Sequence, residues 1–174
     1  MRAPRGGAPG AEKDKGPAKK MIVSESELVD AVARDRAAGK TIAFANGCFD
    51  LLHVGHVRYL NGAAAEGDCL IVAVNDDPSV SALKGPGRPI LGTADRAELV
   101  AALRGVDYVI VFGDATAGRL LRLLEPDVHC KGTDYAVDTV PERAVVQAYG
   151  GRTAIVGDSK SHSTRDLLAR LARG

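Results

Sequence analysis

The chain lacks an excess of either charge: 23 Lys and Arg stand against 22 Asp and Glu, a formal net charge of +1. A dedicated nucleic-acid surface needs a clear basic surplus, so that class of partner is not expected. Long apolar runs are missing too. None approaches the roughly eighteen residues of a membrane span, and the N-terminal stretch has no signal-peptide core, so no membrane association is expected. Cysteine is sparse: Cys48, Cys69 and Cys130 are odd in number and make no Cys-x-x-Cys pair. That excludes a disulfide framework, and the three read as free thiols of a reducing cytoplasm. Two fingerprints of dinucleotide and P-loop binding fail as well. There is no Gly-x-Gly-x-x-Gly. The stretch from Gly113 to Leu120 imitates a P-loop, but Arg119 stands in the lysine position and Leu120 where a Ser or Thr would meet Mg²⁺.

What remains is an ordinary globular composition, 45% hydrophobic and 26% charged over 174 residues, without tryptophan. That length suits one domain with a substantial core. The balanced charge hides an asymmetry. Residues 1–20 carry Arg2, Arg5, Lys13, Lys15, Lys19 and Lys20 against Glu12 and Asp14, so this segment is +4 and the rest −3. Rich in glycine and proline and poor in apolar residues, 1–20 is expected to be a disordered basic tail, with the folded domain over 21–174.

Beyond the tail, apolar runs alternate with amphipathic segments. Ser24-Glu25-Ser26-Glu27 is a capping-box sequence opening a helix to about Ala38, stopped by Gly39. Strands are expected at Thr41–Ala45, Cys69–Val74, Asp107–Phe112, Asp127–Cys130 and Arg152–Val156. Helices are expected at Val54–Glu66, Thr93–Leu103 (capped by Thr93), Thr116–Leu124, Pro141–Tyr149 and about Ser163 to Ala172. Short apolar strands between helices imply an α/β fold with a parallel sheet covered on both faces. In such sheets ligands bind beyond the carboxyl ends of the strands.

The stretch Asn46-Gly47-Cys48-Phe49-Asp50-Leu51-Leu52-His53-Val54-Gly55-His56 follows the first of these strands and runs into a helix. Its two histidines, three apart, face the same way in the first turn. Gly55 leaves room for a bulky ligand near the backbone. A helix start offers unpaired N–H groups and partial positive charge, which suits a polyphosphate. A zinc site would need further ligands, and no nearby Cys/His cluster supplies them, so no protein-held metal is expected.

This pattern resembles the nucleotidyltransferase superfamily whose active site carries His-x-Gly-His. It is most similar to the bacterial sugar-phosphate adenylyltransferases, in particular the D-glycero-β-D-manno-heptose 1-phosphate branch. The resemblance covers nearly everything after Val23 and is carried by four blocks: Asn46 to Leu60, Lys84 to Pro89, Lys131 to Tyr135, and His162 to Arg165. It implies a Rossmann-like, three-layer α/β/α fold. It also implies transfer of AMP from ATP to a sugar 1-phosphate, giving an ADP-sugar and pyrophosphate, with Mg²⁺ arriving on the ATP.

The resemblance implies roles residue by residue. His53 and His56 would stabilise charge on the α-phosphate and the departing pyrophosphate, with Lys84 as a further catalytic cation. Gly47, Cys48, Phe49 and Gly55 would approach the nucleotide phosphates, Lys131, Gly132 and Asp134 the base and ribose, and Ser163 and Thr164 the β- and γ-phosphates. His162 and Arg165 depart from the Ser/Thr run usual in the family. Asp50, Asn75, Asp77, Lys84 and Arg88 would meet the acceptor, with Arg96 a weaker candidate. The residues themselves allow plainer readings: Asp50 and Asp134 as turn formers, Ser163 and Thr164 as helix caps, and His129 as a strand residue. Lys84 and Arg88 read as lying in a loop too broken by glycine and proline for helix or strand.

Relatives are often fused to a sugar kinase and often dimeric, so a separate upstream sugar kinase and a possible homodimer are expected. The competing readings are a cytidylyltransferase acting on an alcohol phosphate such as glycerol 3-phosphate, and a non-catalytic nucleotide-binding module.

Overall fold

The computed structural model describes residues 21–159 and 163–173; the basic segment 1–20 and His162 lie outside the described residues. The apolar runs form five strands: β1 (Ile42–Gly47), β2 (Cys69–Asn75), β3 (Tyr108–Phe112), β4 (Val128–Lys131) and β5 (Arg152–Ile155). They make one sheet in the order β3-β2-β1-β4-β5, and every pairing is parallel. The helices between them are α1 (Glu25–Ala37), α2 (Val54–Ala64), α3 (Asp77–Lys84), α4 (Thr93–Ala101), α5 (Gly118–Leu124), α6 (Arg143–Ala148) and α7 (Thr164–Leu171).

Side-chain alternation along the strands divides the core into two layers. Phe44, Ile71 and Ile110 face Leu28 of α1, Leu120 and Leu124 of α5 and Val146 of α6. Ala45, Val72 and Val109 face Leu60 and Ala63 of α2 and Val100 of α4. Each fully buried Leu or Ile of these layers contributes about 1.5–3 kcal/mol. The result is the expected Rossmann-like α/β/α sandwich.

Chain order places the binding edge. From β1 the chain builds outward to β2 and β3, then returns to lay β4 against the other side of β1. That reversal opens a crevice at the carboxyl ends of β1 and β4, where a doubly wound sheet binds its ligand.

Several local expectations hold. Ser24 caps α1 with a full capping box, its Oγ accepting from Glu27 N at 3.3 Å while Ser24 N donates to the Glu27 carboxylate at 2.8 Å. Others need correction. Lys84 does not lie in an irregular loop: it is the last residue of α3, an eight-residue helix closed by Gly85 at φ 93°. The start signal was Asp76-Asp77-Pro78, an N-cap aspartate accepting from Ser79 N at 2.9 Å with proline in the first turn. Thr93 is not the cap of α4, which Gly92 occupies. Its hydroxyl is turned away to accept from Asp77 N at 2.9 Å.

The carboxyl ends of β1 and β2 are tied together by Arg96 of α4, whose side chain is wholly buried. Its guanidinium donates to Cys48 O and Asn75 O, both at 2.6 Å, to Leu91 O at 2.9 Å and to the Asp77 carboxylate at 2.7 Å. A charge away from water is tolerated only when its donors are all used in this way. Replacing Arg96 by Met would orphan three carbonyls, and urea denaturation is expected to show a loss of about 3 kcal/mol. A loss below about 1 kcal/mol would show that the network is dispensable.

Candidate active site

An open cleft of about 990 Å³ occupies the expected edge of the sheet. Of the described site residues anticipated from the sequence, all but Asp77 and the weaker candidate Arg96, which is wholly buried, stand on its wall. Asp77 stands apart because Arg96 draws its carboxylate into the tie behind the cleft, and that guanidinium and the Thr93 hydroxyl hold its carboxyl below the ordinary value.

The histidines are placed by the start of α2. His53 is the N-cap, its Nδ1 accepting from Gly55 N at 3.1 Å, and His56 Nδ1 accepts from His53 N at 3.4 Å. The rings stack with centroids 3.9 Å apart. With Nδ1 used as an acceptor, the proton of each neutral ring sits on Nε2, which makes each a donor suited to an anion. Phe49 backs this pair, its ring 5.4 Å from that of His56. It is held at φ 48°, a left-handed conformation that costs a bulky residue on the order of 1–2 kcal/mol.

Asp50 is neither a simple turn former nor open to a ligand. It is buried, binds Arg88 Nε at 2.5 Å and accepts from Ile90 N at 2.6 Å and Leu91 N at 3.3 Å. Burial alone would raise its carboxyl, but Arg88 and these two N–H groups outweigh that and hold it below the ordinary value. Asp50 therefore anchors the segment after α3 across the cleft mouth. Arg88 shares its positive charge with that anchor, whereas Lys84 stands exposed at the rim.

On the opposite side, Lys131 ends β4 with its side chain only 11% exposed. Burial lowers its pKa, and the neighbouring Glu142 carboxylate works against that shift. Its Nζ lies 4.0 Å from Glu142 Oε2 and 4.7 Å from the centre of the Tyr135 ring. Gly132 follows, and among the described residues beyond its chain neighbours nothing lies within 4 Å of where a Cβ would stand there. His129 is a buried strand residue, its Nε2 3.0 Å from Asn46 Oδ1, and burial pushes its pKa down to about 3. Cys48 touches Asn75 Oδ1 at 3.9 Å, and burial raises its thiol, leaving a neutral side chain unsuited to act as a nucleophile.

Ser163 and Thr164 close the cleft from α7. Ser163 Oγ caps the helix through Asp166 N at 3.1 Å, and Thr164 Oγ1 donates to Leu51 O at 3.3 Å, docking α7 beside the loop before α2. Arg165 lines the cleft beside them. Sequence reasoning gave no role to several wall residues, among them Tyr59 and Glu142. Tyr59 Oη donates to Cys130 O at 2.8 Å, locking α2 onto β4, and burial raises its phenol far above the ordinary value. Among the described residues no three His, Cys, Asp or Glu side chains gather into a metal site. No described helix is long and apolar enough to cross a membrane.

A family model described as cytidylyltransferase-like matches residues 44–169, which span every described cleft residue and all of the sheet but the start of β1. The chain belongs to the cytidylyltransferase-like family. Among the relatives of this cytidylyltransferase-like domain is the bifunctional protein HldE of Ectopseudomonas mendocina (strain ymp). It is 47% identical over 150 residues, covering 86% of this chain and 32% of that protein. The HldE protein of Syntrophotalea carbinolica is 44% identical over 152 residues, 87% of this chain and 31% of its own. The chain thus spans about a third of the length of the curated relatives it matches. A solved structure of a lipopolysaccharide core biosynthesis protein from Thermoplasma volcanium GSS1 superposes with TM-score 0.58 at 29% identity, over 71% of this chain and 100% of that one. A pantoate-beta-alanine ligase from Francisella tularensis shares the fold alone, with TM-score 0.57 at 13% identity over 85% of this chain and 72% of that one.

The Asp50 anchor has a pH signature. Because its folded pKa is depressed, its contribution is complete above the unfolded value near 3.9 and is lost as pH falls through the lower folded value. Asp50→Asn is therefore expected to be less stable than the native chain at neutral pH, with the gap closing under strongly acidic conditions. Limited proteolysis of Asp50→Asn at neutral pH should cut within 85–92 faster than in the native chain. An unchanged cleavage pattern would show that the segment is held by other contacts.

Proposed function

We propose that this cytidylyltransferase-like domain transfers AMP from ATP to D-glycero-β-D-manno-heptose 1-phosphate, releasing pyrophosphate. The observation that carries this reading is the stacked His53–His56 pair at the start of α2, facing a cleft that also collects Lys84, Arg88 and Lys131. Two imidazole donors at a helix N-terminus suit a polyphosphate, and the cations suit a second anion beside it. The acceptor is read from the resemblance of the Lys84–Pro89 and Lys131–Tyr135 segments to the heptose branch, and the HldE relatives agree with that reading.

In the proposed reaction a phosphate oxygen of the acceptor attacks the α-phosphorus of ATP in line. The bond from that phosphorus to the α,β-bridging oxygen breaks, and pyrophosphate leaves with its electron pair. No covalent enzyme intermediate is needed, consistent with the neutral Cys48 thiol. The work of the protein is positioning and charge stabilisation. His53 and His56 donate from Nε2 to the phosphate oxygens on which charge builds. The start of α7 at Ser163 and Thr164 meets the β- and γ-phosphates. Unobstructed Gly132 allows the nucleoside to lie against backbone. Magnesium would arrive with ATP, where it would neutralise the triphosphate and assist pyrophosphate departure.

The description of the matching family model keeps a second reading in view: CTP as donor and an alcohol phosphate as acceptor. Pyrophosphate release measured with ATP and CTP, each against heptose 1-phosphate and glycerol 3-phosphate, separates the two. Turnover with ATP and the sugar phosphate is expected. A clear CTP preference would overturn the assignment, and tight ATP binding without turnover would favour a non-catalytic module. His56→Ala is expected to lower kcat by about 10²–10³-fold with the melting temperature little changed. Near-native kcat in that variant would remove the role given to the histidines.

A further inference from the structure

The cleft straddles the edge of the sheet, and its two halves belong to different layers. The histidines sit on α2, which packs on the face of Ala45, Val72 and Val109. The other half is walled by residues of the opposite face: Asn75 and Phe112, which end β2 and β3, Lys131, which ends β4, and Glu142 just before α6. If the polyphosphate takes the α2 half, the acceptor is left the half floored by these residues. Glu142 has no part in the reaction as proposed above. Its position is nonetheless unusual, because it is 5% exposed and, among the described residues, its Oε1 accepts only a long 3.4 Å bond from Ala117 N while its buried Oε2 has no hydrogen-bond partner. The cation beside that oxygen is Lys131, at 4.0 Å.

We propose that Glu142 is a positioning residue that holds the Lys131 ammonium in the α5–α6 half of the cleft, where this cation receives the phosphate of the acceptor. The inference rests on the nucleotidyl-transfer reading, adds to it a phosphate contact separate from the Lys84–Arg88 segment, and moves Lys131 from the base-and-ribose role that the resemblance implies to the acceptor. The 4.0 Å gap is too long for a closed ion pair, so the ammonium keeps donors to offer an incoming anion. The ring of Tyr135 under Nζ fixes the direction in which they point. The titratable groups around Lys131 are Glu142, Cys48, Tyr135 and His129. The Cys48 thiol is raised and His129 is held neutral, so Glu142 is the anion that opposes the cost of burying this charge. Removing the Glu142 charge therefore makes Lys131 lose its proton at a lower pH.

The test is steady-state kinetics of Glu142→Gln from about pH 6 to pH 9 with ATP and the heptose 1-phosphate. At alkaline pH the acceptor KM is expected to rise about tenfold or more while the ATP KM stays within about twofold, and acidification should restore it. The alkaline limb of kcat/KM for the acceptor should move down by about one pH unit. Adding Lys131→Arg to this variant should flatten that limb, because guanidinium stays charged throughout. An unchanged acceptor KM, an equal loss at every pH, or a rise confined to ATP would overturn the inference. Should Glu142→Gln fail to fold, Lys131→Met in the otherwise native chain gives the same decision. Its acceptor KM must rise with the ATP KM preserved, and an unchanged acceptor KM overturns the proposal. Failure of the unaltered protein to turn over any sugar phosphate would instead sink the functional reading, and the acceptor contact with it.

Discussion

The cleft depends on a cation that never meets solvent. Arg96 fixes the spacing between the ends of β1 and β2 by donating to Cys48 O and Asn75 O at once, while its other donors reach Leu91 O and Asp77. Backbone carbonyls at strand ends normally turn to water or to a following helix. Here they turn inward to one guanidinium, which leaves the outward side of the loop from Cys48 to His53 free to present N–H groups and imidazoles. The same loop then holds Arg88 through Asp50, so the rim carrying Lys84 and Arg88 is referenced to the histidines by two part-buried ionic contacts. Positioning of this kind suits a reaction in which geometry and charge supply the catalysis.

Charge is distributed across the cleft by degree of engagement. Arg88 is largely committed to Asp50, Lys131 is loosely held by Glu142, and Lys84 is exposed at the end of α3. The histidines complement these with neutral donors whose tautomer is set by backbone N–H groups. A bound polyphosphate and a second phosphate would bring several negative charges together. Cations with different freedom to move can follow that charge as it shifts from the acceptor to the departing pyrophosphate.

Much of this was legible along the chain. The strands showed because they are short apolar runs closed by glycine, proline or aspartate, and α1 because Ser24 and Glu27 spell a capping box. The turn into α2 was readable because histidine and glycine at that spacing serve one another locally. Long-range pairings were not. Asp50 meets Arg88 across 38 residues, and a lone aspartate in a loop carries no sign of that partner. Arg96 showed on its helix only as a weaker acceptor candidate, and the tertiary fold alone shows it to be the largest of the fully buried side chains among the described residues. The short helix α3 was missed because eight residues give too little periodicity, although Asp76 and Pro78 marked its start. Glu142 was hidden behind Pro141, where a helix-start glutamate ordinarily needs no explanation beyond the helix dipole.

The central claim is that the acceptor keeps its whole phosphate group and takes AMP from the α-phosphorus of ATP, and oxygen tracing tests it most directly. With heptose 1-phosphate labelled with oxygen-18 throughout its phosphate group, mass spectrometry of a single turnover should find all of the label in the ADP-sugar and none in pyrophosphate. Label in the released pyrophosphate, or orthophosphate in its place, would contradict the account.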